Sequence, residues 1–156
     1  MNLPYARAGI AALSLSATAF VSLTAYEGYS DKAYIPVPGD VPTIGFGTTE
    51  GVKLGDTTTP QAAMQRALRD VSKFEGAVKQ CVTVPLHQYE YDAFIQLSYN
   101  IGQTAFCKST LVKKANASDY TGACNEILKW DLFKGKPLRG LTLRRQKEYA
   151  LCAGAK

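Results

Sequence analysis

The chain is short of the residues that hold metals. It has one histidine, His87, and none of its four cysteines, Cys81, Cys107, Cys124 and Cys152, stand in a C-x-x-C pair. Zinc sites and thioredoxin-type motifs need those spacings, so no metal site is expected, and no other cofactor is implied. No phosphate-loop run is present, which argues against a nucleotide-cradling enzyme. Internal repeats and low-complexity tails are also missing. Basic residues gather from Lys134 to Lys147, but no aromatics interleave them as they do in a stacking platform for single strands. A nucleic-acid partner is therefore not expected.

The 156 residues are 46% hydrophobic, enough to bury one core, and a net charge of +5 favours an anionic partner. Nucleic acid, an anionic lipid surface and bacterial cell wall all carry that charge. An even cysteine count at wide spacing suits two disulfides in an oxidising compartment. Three connectivities are open, and four buried thiols in a cytosolic protein form the competing reading.

Charge is absent again from Ala8 to Ala25, just after Arg7. The run approaches the length of a membrane span, yet Ser, Thr, Ala and Gly dilute its apolar residues. Three readings compete: a signal peptide cleaved at Ala17-Thr18-Ala19, an ordinary core helix, or a segment that inserts weakly and later leaves the membrane. Cleavage after Ala19 would remove the helix that holds Glu27.

Further on, Thr59-Pro60 is a helix start. Met64, Ala67, Leu68, Val71, Phe74 and Val78 follow at helical spacing. Gln88 to Tyr99 predicts a second helix that stops at Asn100-Ile101-Gly102. Ser109 to Lys114, Tyr120 to Trp130 and Thr142 to Cys152 predict three more, with turns at Gly135-Lys136-Pro137 and Arg139-Gly140. Only Ala33 to Val52 has β character, fit for a small hairpin. The expected class is α+β, mainly helical.

Glu27 closes the apolar N-terminal run, and Thr43-Ile44-Gly45-Phe46-Gly47 follows after a Pro/Gly-rich loop. Cleaving a glycosidic bond needs an acid to protonate the leaving oxygen. In the inverting form it also needs a polar group to hold water. Glu27 is the candidate acid and Thr43 a hydroxyl at the hairpin edge. Gly45 and Gly47 would let a polymer lie against bare backbone. Taken singly, these are a helix-end glutamate, a strand threonine and two turn glycines.

Together with Glu27-Gly28-Tyr29, Ala33-Tyr34 and Pro42 to Gly47, the chain carries Gln88 to Ala93, Ser98 to Gly102, Ser109-Thr110-Leu111, Asn116 to Tyr120, and Gly140-Leu141 with Arg144, Arg145, Gln146 and Glu148. In that order, from about residue 17 to the end, the set resembles the phage-type lysozymes, endolysins of glycoside hydrolase family 24 related to T4 lysozyme. The resemblance implies a lysozyme-like fold in which a small hairpin lobe faces a larger helical lobe across a cleft. It implies cleavage of peptidoglycan between N-acetylmuramic acid and N-acetylglucosamine by a monomer. Glu27 falls on the family's catalytic acid and Thr43 on its active-site threonine. The family's Asp, two residues past the tyrosine matching Tyr34, is Pro36 here, and the segment from Ile35 to Pro42 is one residue longer. Asp40 is taken as the second carboxylate in preference to Asp31. Thr48 stands where many relatives carry His. A lytic transglycosylase using Glu27 alone, or a non-catalytic peptidoglycan-binding protein, are the alternatives. Some members carry a signal-arrest-release segment: they sit tethered in the inner membrane and pass to the periplasm on depolarisation. Residues 1–25 resemble such a segment, one able to pack as the first helix of a catalytic domain over 17–156.

Overall fold

The computed structural model describes residues 6–155. Residues 1–5 of the N-terminal segment lie outside them. The chain is mainly helical and divides into two compact units, one of Met1–Ala19 with Phe74–Lys156, the other of Phe20–Lys73. Two helices, α1 (Ala17–Glu27) and α2 (Pro60–Cys81), start in one unit and end in the other.

The smaller unit holds the hairpin. Strand β1 (Ser30–Tyr34) pairs antiparallel with β2 (Thr43–Gly45), with Tyr34 opposite Thr43 and Ser30 opposite Gly45. The strand thus begins before Ala33, at Ser30-Asp31-Lys32, residues with weak β propensity. Their backbone is recruited from the far side: Thr58 N donates to Asp31 O (2.9 Å) and Ala33 N to Asp56 O (3.0 Å). Helix α2 starts as its sequence demands, with Ala62 N donating to Thr59 Oγ1 at 3.3 Å and Pro60 in the first turn. Its buried residues in this unit are Ala63, Ala67 and Val71. Met64 and Leu68, expected on the buried stripe, are 47% and 56% exposed. The hairpin backbone at Gly45 comes close to α2 at Ala63, which leaves little room for a larger side chain there.

The larger unit is built around α3 (Gln88–Ile101), whose residues from Glu90 to Ser98 are all buried. Glu90 Oε2 accepts from His87 N (2.8 Å) and starts the helix; Gly102, at φ +90°, ends it. Around it lie α4 (Gln103–Cys107), α5 (Thr110–Asn116), α6 (Tyr120–Ile127) and α7 (Arg139–Cys152). Ser109 and Asp119 cap α5 and α6 by accepting from Val112 N and Gly122 N. Cys81 pairs with Cys107 and Cys124 with Cys152, which selects one of the three connectivities. Arg144 and Arg145 do not belong to a basic surface. Both are buried on Glu148, and Arg145 also donates to the Trp130 carbonyl.

Several elements depart from the sequence-based expectation, among them α4, for which no helix was expected. Strands β3 (Leu132–Phe133) and β4 (Lys136–Pro137) form a second hairpin where a turn was expected, with Lys134 and Gly135 both at positive φ. Arg139-Gly140 is the first turn of α7, not a loop. The Ala8 to Ala25 run is broken into a short 3₁₀ turn at Ile10–Ala12, an irregular stretch and α1. Ser16 causes the restart: its Oγ accepts from Ala19 N at 3.1 Å, an N-cap inside the apolar run. Among the described residues no helix is long and apolar enough to cross a membrane.

Candidate active site

Glu27 is the last residue of α1. Gly28, at φ +70°, ends the helix, and its N–H donates to Thr24 O at 3.1 Å. The chain then turns into β1, so the acid stands at a corner between helix and hairpin.

β2 leads into a tight loop whose ends are tied twice. Ile44 N donates to Thr48 O (2.9 Å) and Thr48 N to Ile44 O (3.1 Å). Gly45 and Gly47 lie inside that loop at φ +64° and +86°, conformations that side chains rarely adopt. The two glycines do different things. A Cβ on Gly45 would lie 2.8 Å from the Ala63 Cβ, so the missing side chain lets α2 pack on the loop. A Cβ on Gly47 would lie 3.1 Å from Glu27 Oε2 and 3.5 Å from its Cγ. Gly47 therefore leaves the space that the Glu27 carboxyl occupies.

Thr43 is 7% exposed and donates from Oγ1 to Val41 O at 3.3 Å. Asp40 sits in the exposed segment between the strands. Its Oδ1 accepts from Val41 N (2.8 Å), and its own N–H donates to Val37 O (2.9 Å). This is an Asp that caps its own turn. Asp31 and Pro36 are exposed as well. The structure thus brings Glu27 against Gly47, within the loop tied at Ile44 and Thr48. Asp40 is engaged with its neighbouring backbone.

Two contacts hold the loop in place, and one of them, to Asp70, uses a residue that the sequence did not single out. Thr48 Oγ1 donates to Asp70 Oδ2 at 2.6 Å, a charge-assisted bond from loop to α2. Tyr29 and Phe46 pack across the hairpin with ring centroids 5.3 Å apart and planes tilted by 46°. Asp70 borders the Ala63, Ala67 and Val71 stripe, but no local motif marks it. Beside the brace, Thr48, Glu50, Arg66, Arg69, Asp70 and Lys73 line a charged cavity of about 150 Å³. Among the described residues no group of three or more His, Cys, Asp or Glu is arranged to hold a metal.

Residues 24–148 match the family model described as phage lysozyme. The chain is 40% identical over 147 residues to an endolysin of Acyrthosiphon pisum secondary endosymbiont phage 1, covering 92% of this chain and 100% of that protein. It is 35% identical over 156 residues to a SAR-endolysin of Pseudomonas phage phiKMV, covering 97% and 92%. Among solved structures, an endolysin from Escherichia coli O157:H7 phage FAHEc1 superposes with a TM-score of 0.81 at 34% identity, covering 93% of this chain and 96% of that one.

Proposed function

The chain belongs to the phage lysozyme family and is a peptidoglycan-hydrolysing enzyme, and from that premise we propose that it cleaves the β-1,4 bond between N-acetylmuramic acid and N-acetylglucosamine to lyse a bacterial host. Glu27 is the general acid that protonates the leaving oxygen. Thr43 and Asp40 hold the water that attacks the anomeric carbon from the opposite face, so the sugar inverts. The observation that carries the reading is the fit of Gly47 to Glu27: a glycine at φ +86° clears space for one carboxyl oxygen. Gly47 offers bare backbone beside the acid, and Gly45 serves the packing of the loop on α2.

One observation favours the transglycosylase alternative. The Asp40 carboxylate accepts from Val41 N in an exposed turn, which suits a structural Asp. A transglycosylase needs no second carboxylate, because the sugar's own hydroxyl attacks. Digestion of purified peptidoglycan by wild type, Glu27→Gln and Asp40→Asn, with product ends read by mass spectrometry, separates the two. Reducing muramic ends lost in both variants support inverting hydrolysis. Anhydro-muramic ends with an active Asp40→Asn replace it with transglycosylation. A fully active Glu27→Gln overturns both.

The same proposal extends to location. The uncharged run from Ala8 to Ala25 serves as a signal-arrest-release segment: it tethers the enzyme in the host inner membrane and then joins the fold as a periplasmic monomer. The phiKMV SAR-endolysin, aligned over 97% of this chain, supports this, as do the two disulfides, which suit the periplasm. Fractionation of expressing cells before and after depolarisation tests it. Enzyme found in the periplasm before depolarisation overturns it.

A further inference from the structure

We propose that the second hairpin, β3–β4, and the start of α7 form a docking patch for the surface of an anionic phospholipid bilayer. The patch lies wholly in the larger unit, and the proposal is independent of the assignment of Glu27 and of the N-terminal tether. Every residue from 132 to 140 is exposed. In and just beyond that stretch, Leu132, Phe133, Leu138 and Leu143 are between 47% and 54% exposed. Single exposed apolar residues are ordinary, but four so close along the chain make a patch.

The hairpin geometry leaves both of its faces open. Residues opposite each other in an antiparallel pair share a face. Leu132 therefore lies with Pro137 on one face and Phe133 with Lys136 on the other, and all four are exposed. A lone two-stranded hairpin has little stability of its own. This one is tied at its base: Leu138 N donates to Asp131 O (2.9 Å), Thr142 Oγ1 to Asp131 Oδ2 (2.8 Å) and Arg145 Nε to Trp130 O (2.9 Å). Bonds at the base hold the hairpin, while its apolar side chains stay uncovered.

Charge identifies the partner. Lys134, Lys136 and Arg139 interleave with the apolar residues, and all three are exposed. Asp131 is the only acidic residue between Glu126 and Glu148, and its carboxylate accepts from Thr142. An anionic bilayer surface complements both properties: its phosphates meet the cations, and its acyl boundary takes Leu and Phe. The long Lys and Arg stems keep their charges at headgroup level while the apolar side chains enter below. A second copy of the chain fits less well, because a symmetric contact sets the cations of one patch against those of the other. A glycan strand also fits less well. From 132 to 140 the side chains are Leu, Phe, Lys, Pro and Arg, with no amide, hydroxyl or carboxylate to hold sugar hydroxyls.

The test is sedimentation of the purified full chain with vesicles of phosphatidylglycerol and phosphatidylethanolamine, or of phosphatidylcholine alone. Wild type is compared with a double variant, Leu132→Ser with Phe133→Ser, and a triple variant, Lys134→Gln with Lys136→Gln and Arg139→Gln. All three proteins share residues 1–25, so binding through that run is common to them. Each cation near an anionic surface contributes about fivefold to binding, so the triple variant is expected to lose about 100-fold in affinity for the anionic vesicles. The double variant is expected to lose about 10-fold. Wild type is expected to bind the neutral vesicles about 100-fold more weakly than the anionic ones. Melting temperature and turnover of soluble glycan strands stay at wild-type values in both variants, because the substituted side chains are exposed. Equal vesicle binding by all three proteins overturns the inference, as does equal binding of wild type to anionic and neutral vesicles. Unchanged vesicle binding with lost turnover would make the patch a glycan contact, and unchanged vesicle binding with lost self-association a contact between copies; either result also overturns it.

Discussion

At Gly47 a single methyl group separates two demands. Alanine there must hold φ near +86°, at a cost of about 1–3 kcal/mol, and its Cβ presses on the Glu27 carboxyl. Gly47→Ala is therefore expected to lose more activity than its loss of stability accounts for, because the Glu27 carboxyl must shift to admit the methyl group. Paired denaturation and turnover measurements separate the two effects. A different residue governs acid stability. The Glu126 carboxylate accepts from Lys114 Nζ (2.6 Å) and Lys129 Nζ (2.8 Å), and these bonds hold it below the usual value of 4.5. A depressed carboxylate contributes stability that is fully present above its unfolded-state value and disappears as pH falls through the lower folded one. Glu126→Gln is expected to be less stable than wild type at pH 7, with the gap closing below about pH 4. A gap that stays constant to pH 2 would contradict the pairing. Glu27 and Thr43 stand out in the sequence because helix end, loop and glycines occur in one order. Asp70 does not, because its partner Thr48 is reached only through the fold.

Helix α2 shows what periodicity conveys and where it stops. The 3.6-residue repeat establishes that a helix exists and where it starts. It does not choose between two adjacent stripes that share Ala67 and Val71. The choice goes to Ala63 because Gly45 approaches α2 too closely for a larger side chain. Ala63→Leu is expected to cost about 1–3 kcal/mol by overpacking. Leu68→Lys, on the exposed side, is expected to stay within about 0.5 kcal/mol. Urea denaturation of the two variants checks both values, and equal effects would mean that the stripe lies where periodicity alone put it. The second hairpin was illegible for another reason. Two residues per strand are too few to alternate, and the positive φ of Lys134 lies on a residue type that gives no signal for it.

For the whole molecule, the disulfides decide how stability depends on environment. Each closes a loop, with sequence separations of 26 and 28, which corresponds to about 3.5 kcal/mol apiece in the chain-entropy view. Removing either pair as a Cys→Ser double variant is expected to lower unfolding free energy by about that much, measured in guanidinium. A reductant opens both bonds and should cost wild type about 7 kcal/mol, with no effect on a chain lacking all four cysteines. Four wide-spaced cysteines were legible as two bonds, but their pairing was not, since connectivity depends on which helices become neighbours. The N-terminal run divides in the same way. Its lack of charge, its small polar residues and the glutamate after it are local facts, read directly from residues 8–27. So are the helix starts at Thr59, Ser109 and Asp119, where capping depends on a few adjacent residues. The fold decided which carboxylates bind that run and the Arg7 before it: Glu75 accepts from Leu15 N, Asp92 from Ser16 N and Glu90 from Arg7. It also decided which glycine faces the acid and which faces a helix. Caps and periods need only neighbours along the chain. Partners 60 to 83 residues apart are joined by packing, which no local spacing encodes.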